Sequence, residues 1–206
     1  MRLHNSNEAT EGNVAQQNFS IEMNEVMFDM LSANIYTDRI SSVIRELVAN
    51  ATDGCVMVQK PVEFDLHLPT MLEPHFSVRD YGGSMTKELV FELYSTMGAS
   101  TKRNSNEAIG ALGIGKLSPF AIAESFTVTT YIANIATVYH ITKNKGIPSI
   151  SLLGSATTPE EDGVLVSVEV HSEDMNSFQR KAEFFFKYYN YQPSDCNIPL
   201  KVKAID

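Results

Sequence analysis

The feature that most limits the fold of this chain is a block of strand-like segments, residues 125–170, that no helical pattern interrupts. SFTVTTYIA, ATVYHIT and GVLVSVEV alternate apolar and polar residues, and PSISLL is a weaker fourth candidate. Two further strand-like segments, PVEFDLHL and HFSVRD, precede the block. Because these strands lie between helical segments and no β-α-β spacing repeats, we predict an α+β fold with a largely antiparallel sheet.

Apolar residues at helical spacing predict helices on both sides of the strands. The predicted helical segments are 24–36, 38–59, 86–97, 116–123 and 176–191, with Thr86 as the N-cap of the third. The segment NIPLKVKAI, residues 197–205, is predicted to close the sheet as a last strand. Residues 98–109 are small and polar and are predicted to form a loop.

Composition and charge bound the functional classes. Residues 1–18 are polar and predict a flexible N-terminal arm, and residues 19–206 predict one domain because no Gly/Ser-rich linker divides them. The net charge of -9 disfavours a nucleic-acid partner. No apolar run reaches 18 residues and no signal peptide is visible, so we expect a cytoplasmic protein without membrane contact. Two cysteines without metal-ligand spacing fit reduced thiols.

The helical segment 38–59 carries a second, polar stripe opposite its apolar residues. Glu46, Asn50 and Asp53 lie at positions i, i+4 and i+7, which places all three on one side of a helix. Two carboxylates and an amide in a row can hold a water, a hard cation and a polar ligand. The alternative interpretation is an ordinary solvated face, which is the commoner situation on helices.

Two glycine-containing stretches follow. In VRDYGGSM a strand ends at Asp80 and turns on Gly82 and Gly83, a pattern that an ordinary hairpin also produces. In AIGALGIGKLSPFA, glycines open a helix and leave its backbone N–H groups accessible, which favours phosphate binding. Lys116 and Ser118 could add contacts there. The stretch matches neither a Walker A loop nor a Rossmann fingerprint, and a glycine-rich packing turn is the alternative.

The order and spacing of these stretches resemble the GHKL superfamily of ATPases, which includes DNA gyrase, the ninety-kilodalton heat-shock chaperone, sensor histidine kinases and MutL. VIRELVANATDG resembles the N-box, VRDYGGSM the first glycine box, and IGALGIGKLSPF the second glycine box in its chaperone form. The resemblance covers most of residues 19–170. It implies a Bergerat-type ATP-binding sandwich, in which helices pack on one face of a mostly antiparallel mixed sheet. NIYTDRISSVIRELVANATDG is most similar to the rIIA-type lysis-inhibition proteins of T-even-like bacteriophages.

The resemblance implies roles for the polar residues, with ATP or ADP and Mg²⁺ as cofactors. Glu46 would be the general base that activates the attacking water, and Asn50 would be a Mg²⁺ ligand. Asp80 would accept a hydrogen bond from the adenine amino group. Asp53 and Gly82 would support the part of the site that binds adenine, and Met85 would pack on the adenine ring.

The second glycine box and the preceding loop are assigned to the phosphates by the same resemblance. These nucleotide-binding residues are Gly110, Leu112, Gly113, Ile114, Gly115 and Lys116, with Ser100, Thr101 and Lys102 in a lid. Two positions depart from the family pattern. Ser84 replaces the last glycine of the first box, and Val164 replaces a threonine near the adenine.

The function implied is a Mg²⁺-dependent ATP-binding module that hydrolyses ATP slowly and acts as a nucleotide-gated conformational switch. The alternative is a non-catalytic nucleotide-gated interaction module, against which Glu46 argues because a pure binder has no need of a base. A histidine kinase is disfavoured because no helix with an exposed histidine precedes the domain. Besides the nucleotide, an ATP-dependent homodimer and a protein partner of unknown identity are expected.

Overall fold

The computed structural model describes residues 38–95, 115–144 and 147–201. Its helices are α1 (Arg39–Met57), α2 (Lys87–Ser95) and α3 (Met175–Phe186), with a 3₁₀ helix at Gly115–Ala121. Its strands are β1 (Phe64–His67), β2 (His75–Asp80), β3 (Ser125–Ile132), β4 (Ile135–Asn144), β5 (Ile147–Thr157), β6 (Gly163–Glu169) and β7 (Asp195–Cys196). The predicted arm 1–18, helix 24–36 and loop 98–109 lie outside the described residues.

The strands form a seven-stranded sheet, within the described residues, in the order β5-β4-β3-β6-β2-β1-β7. Every pairing is antiparallel except that of β1 with β7. The antiparallel α+β prediction is therefore confirmed, and PSISLL is part of a longer strand. The pairing of β2 with both β1 and β6 places the end of β2 in the middle of the sheet.

The helices cover one face of the sheet. Strand alternation places Phe76, Phe126 and Tyr139 on this face, and each contacts an aromatic residue of a helix at ring-centroid distances of 5.0–6.1 Å. Between the helices and this face lies a core of buried apolar side chains. α1 packs at its centre, against β2, the 3₁₀ helix and α3. Its side chains therefore meet the end of β2.

Local signals explain where several elements begin. Asp38 caps α1 by accepting a hydrogen bond from the Ser41 N–H at 3.1 Å. The predicted cap of α2 is present, since the Thr86 hydroxyl accepts from the Leu89 N–H at 3.3 Å. The segment KLSPFAIA forms a short 3₁₀ helix rather than the predicted α-helix, because Pro119 supplies no N–H within it.

The predicted closing strand at 197–205 is wrong in its described part. The last strand is the two-residue β7, and residues 197–201 form no ladder. The side chain of Asn197 takes the place of backbone pairing: its oxygen accepts from the Leu68 N–H at 2.7 Å, and its amide donates to the Leu68 carbonyl at 2.9 Å. A side chain that satisfies both backbone groups leaves no partner for a continuing strand.

Candidate functional site

A cavity of about 240 Å³ lies between α1 and the helix-covered face of the sheet. Its walls come from α1, the end of β2, the turn that follows it, α2, the 3₁₀ helix and β6. Six of the predicted site residues that the structure describes line it: Glu46, Asn50, Asp80, Met85, Gly115 and Lys116. The two departures, Ser84 and Val164, also belong to the wall. Polar and apolar parts of the wall alternate, as expected for a pocket that orients a mixed ligand.

Glu46 and Gly115 are far apart in the chain but in contact in the fold. A Cβ added to Gly115 would lie 2.1 Å from Glu46 Oε2, so any larger residue there would push the Glu46 carboxylate out of its present position. The other carboxylate oxygen, Oε1, accepts from Arg45 Nη2 at 3.2 Å. The side chain of Glu46 is 20% exposed. Its carboxylate is therefore held at the point where the glycine box enters the 3₁₀ helix.

Asp80 is the most deeply placed carboxyl group of the cavity wall. It is 6% exposed, and Oδ1 accepts from the Gly82 N–H at 3.0 Å. Burial raises the pKa of Asp80 to about 7, against the opposing effects of the Gly82 and Val164 N–H groups and of the Arg79 charge. A buried carboxyl group beside open space is a strong acceptor for a donor on a bound ligand.

The turn after Asp80 is locked against α1. A Cβ on Gly82 would lie 2.4 Å from the carbonyl carbon of Gly54, and the Gly83 N–H donates to the Gly54 oxygen at 3.1 Å. Gly54 itself lies close to Asp80, since a Cβ there would be 3.5 Å from Oδ1. Sequence reasoning missed Gly54, although a glycine inside a helix costs roughly 1 kcal/mol and is itself a signal of close approach.

The two departures from the family pattern both lie in the cavity wall. The Ser84 hydroxyl donates to the Gly163 carbonyl at 2.9 Å, which ties the turn after β2 to the start of β6. Val164 is 7% exposed and presents an apolar side chain to the cavity. Its backbone N–H nevertheless lowers the pKa of the Asp80 carboxyl group. The valine therefore removes a hydroxyl but leaves the carboxylate's hydrogen bonding in place.

Asp53 and Ser118 lie outside the part of the cavity wall formed by the described residues. Asp53 is 5% exposed on the same helix as Glu46, near Tyr189, whose pKa its charge helps to raise. Ser118 is fully buried in the 3₁₀ helix. The predicted stripe is thus divided: Glu46 and Asn50 line the cavity, whereas Asp53 does not. The predicted residues Ser100, Thr101, Lys102, Gly110, Leu112, Gly113 and Ile114 lie outside the described residues.

We expect the nucleotide-free protein to lose stability as the pH rises from about 4 to 7. The pKa of Asp80 is about 7 in the folded chain against a reference of 3.8, so the folded state holds an extra proton in this window. Such a group lowers the free energy of unfolding by about 1.4 kcal/mol per pH unit. Urea unfolding at pH 5 and 7 should show this slope in wild type and a shallower one in Asp80→Asn. If the stability of wild type and of Asp80→Asn fell equally between these pH values, the raised pKa of Asp80 would be contradicted.

The structure offers two further observations on ligands and location. Among the described residues, no group of three or more His, Cys, Asp or Glu side chains is arranged to hold a metal ion alone. Within the same ranges, no helix is long and apolar enough to span a bilayer.

A sheet covered on one face by helices, with a buried aspartate and a glutamate in one cavity, defines a nucleotide-binding domain of the GHKL type. Residues 37–162 match the family described as histidine kinase-, DNA gyrase B- and HSP90-like ATPase. Because this match covers more than half of the chain, the chain belongs to that family. Family membership implies ATP binding and, in general terms, ATP hydrolysis.

Curated relatives include chaperone protein HtpG from three bacteria. The HtpG of Buchnera aphidicola subsp. Cinara cedri is 24% identical over 91% of this chain and 33% of its own length. The HtpG of Mycobacterium ulcerans is 28% identical over 57% of this chain and 22% of its length, and that of Mycolicibacterium vanbaalenii 26% over 78% and 28%. The chain thus matches about a third or less of each relative.

Proposed function

We propose that this chain is a Mg²⁺-dependent ATP-binding module that hydrolyses ATP slowly and changes conformation with its nucleotide. The observation that carries the proposal is the arrangement of the cavity. A buried carboxyl group, Asp80, lines it from the end of β2, and Glu46, Asn50 and Lys116 line it from α1 and the 3₁₀ helix. This order suits a ligand with a polar base at one end and charged phosphates at the other.

Each residue then has a definite task. Asp80 accepts from the adenine amino group, Met85 packs on the ring, and Gly82 holds Asp80 in place. Asn50 supplies an amide oxygen to Mg²⁺, whose remaining ligands are phosphate oxygens and water. Lys116 and the backbone at Gly115 meet the phosphates. In this proposal Asp53 supports α1 rather than touching the nucleotide.

Calorimetric titration of the full chain with ADP, ATP and GTP tests the proposal. ATP and ADP should bind and GTP should bind more weakly, because guanine carries a carbonyl where adenine carries the donor that Asp80 accepts. Losing a hydrogen bond to a charged group costs about 1.5–3 kcal/mol, or roughly ten- to hundred-fold in affinity. Equal affinities for ATP and GTP would contradict base recognition by Asp80, and no binding of either would contradict the proposed function.

Asn50→Ala is expected to make ATP binding insensitive to Mg²⁺. Wild type should bind ATP more weakly in EDTA than in Mg²⁺, because the ion joins the Asn50 side chain to the phosphates. ADP binding in EDTA should change little in the variant, since the residues proposed to bind adenine are unchanged. The exposed Asn176→Ala on α3 is a matched control. If EDTA leaves the wild-type ATP affinity unchanged, Asn50 is not a magnesium ligand in the bound state.

Slow turnover is proposed because the described cavity supplies little positive charge for the transition state of phosphoryl transfer. Lys116 is its cation, whereas this chemistry depends on several positive groups around the γ-phosphate. A kcat well below the median of about 10 s⁻¹ follows. The non-catalytic interaction module remains the second candidate, and it predicts nucleotide binding with no phosphate release above the background.

The biological setting is proposed on narrower grounds. The stretch around α1 supports an rIIA-like protein connected with phage lysis inhibition, in which residues 19–206 act as the N-terminal domain in the host cytoplasm. Nucleotide-dependent homodimerisation and a protein partner would give the switch an output. Light scattering with and without a non-hydrolysable ATP analogue tests the dimer: an unchanged mass would contradict it.

A further inference from the structure

Arg79 is a buried arginine on the opposite face of the sheet from the cavity. It precedes Asp80 in β2, so strand alternation turns the two side chains to opposite faces. No helix of the described residues covers the Arg79 face, yet Arg79 is only 8% exposed. Its guanidinium lies 3.9 Å from the ring centroid of Tyr131 and 4.7 Å from that of Tyr81. Two aromatic rings therefore take the place of a helix layer at this point.

The guanidinium joins the end of β2 to the segment that leads into β6. One nitrogen donates to the Asp80 carbonyl and the other to the Glu161 carbonyl. Tyr81, one of the two stacking rings, is itself held by a hydrogen bond from its hydroxyl to Asp65. A planar, permanently charged group with fixed donors is well suited to hold two carbonyls in one arrangement.

The segment that Arg79 holds also supplies hydrogen bonding to Asp80. Gly163 has φ +150°, and a Cβ there would lie 2.0 Å from the backbone carbonyl oxygen of Asp80. The next residue, Val164, pairs with Asp80 in the β2–β6 ladder, and its backbone N–H lowers the pKa of the Asp80 carboxyl group. Ser84 holds the same segment from the cavity side through the Gly163 carbonyl. A shift of this segment would therefore move a donor away from the Asp80 carboxylate.

We propose that Arg79 is a positioning residue for base recognition: from the outer face of the sheet it holds the Asp80 backbone and residues 161–163, and thereby sets the orientation of the Asp80 carboxylate in the cavity. The inference rests on the proposed function, since base recognition by Asp80 gives the position its purpose. Arg79 lies outside the cavity, and in this inference it controls the affinity for adenine nucleotides.

Arg79 also acts on the charge of Asp80. The described groups whose charge or burial is coupled to this carboxyl are Arg79, on the other face of β2, Lys60 after α1, Cys55 in α1 and Tyr94 in α2. Arg79 and Lys60 lower the pKa of Asp80 and oppose the effect of burial, while Cys55 and Tyr94 carry no charge near neutral pH. Loss of the guanidinium should therefore raise the pKa of Asp80 further.

The experiment compares Arg79→Met, which removes charge and donors, with Arg79→Lys, which keeps the charge but not the planar fork. The exposed Arg180→Met on α3 is the matched control. Calorimetry should show ADP affinity reduced about ten-fold in Arg79→Met, a reduction typical of losing one charged hydrogen bond. A carboxyl ¹³C NMR titration of the nucleotide-free protein should show the Asp80 midpoint raised in Arg79→Met and near wild type in Arg79→Lys.

A double variant decides whether Arg79 acts through Asp80. In an Asp80→Asn background, Arg79→Met should cause no further loss of ADP affinity. An additive loss would overturn the proposal, as would an unchanged affinity and midpoint in the folded single variants. If Arg79→Met does not fold, Arg79→Lys carries the test, because it should weaken ADP binding without moving the midpoint. Failure of wild type to bind ADP would contradict the proposed function, while the NMR midpoints would still report whether Arg79 acts on Asp80.

Discussion

Glu46→Ala is expected to abolish the slow ATP turnover of this chain and to leave ATP affinity unchanged or slightly tighter. General-base assistance contributes about 10²–10⁴-fold to a rate, and Glu46, which lines the cavity, is the carboxylate to which the proposal gives this role. Removing Glu46 takes away the group that activates water, but it takes away no group that binds the adenine ring. Phosphate release and calorimetry on the same preparations measure both quantities.

The design of that experiment uses two controls. Glu46→Gln keeps the shape beside Gly115 and the contact with Arg45 while removing the basic oxygen, so it should behave like Glu46→Ala. The exposed Glu173→Ala, on the turn before α3, should turn over ATP like wild type. Unchanged turnover in both Glu46 variants would remove Glu46 from its proposed role. A fast wild-type rate would contradict the proposal that the described cavity supplies too little positive charge for rapid turnover.

Asp80→Asn is expected to lower the affinity for ADP and ATP by roughly ten- to hundred-fold, the cost of a lost hydrogen bond to a charged group. An amide keeps the volume of the side chain. However, it has a single acceptor oxygen to divide among the Gly82 N–H, the Val164 N–H and the adenine amino group. GTP binding should change little, so the preference for adenine should disappear with the affinity.

The exposed Asp195→Asn in β7 is the matched control for this substitution, because it removes a carboxylate from the same sheet far outside the cavity wall. Calorimetry gives the affinities, and urea unfolding confirms that both variants are folded. Asp80→Asn should also have the shallower pH dependence of stability described above. Wild-type affinity for ADP in a folded Asp80→Asn protein would contradict the role assigned to Asp80.

Much of the fold follows from local patterns. The strand-like block at residues 125–170, with no helix inside it, was sufficient to predict an antiparallel sheet, because side-chain alternation is encoded within each segment. The helix Arg39–Met57 is likewise predicted within two residues at each end. The predicted closing strand was wrong over residues 197–201, because the hydrogen bonds of Asn197 to Leu68 compete with strand pairing and join segments that are far apart in sequence.

In the candidate site, too, the sequence determined one part and the tertiary structure another. The sequence by itself determined which residue types were available: the spacing of Glu46 and Asn50 on one side of a helix, an aspartate at a strand end, and glycines where backbone must approach closely. Only the tertiary structure decided which of them meet. It brought Gly115 against Glu46, left Asp53 outside the described cavity wall, and buried Arg79 beside two aromatic rings. Periodicity records the preference of each element for a buried side, whereas contacts between distant segments depend on how the elements pack together.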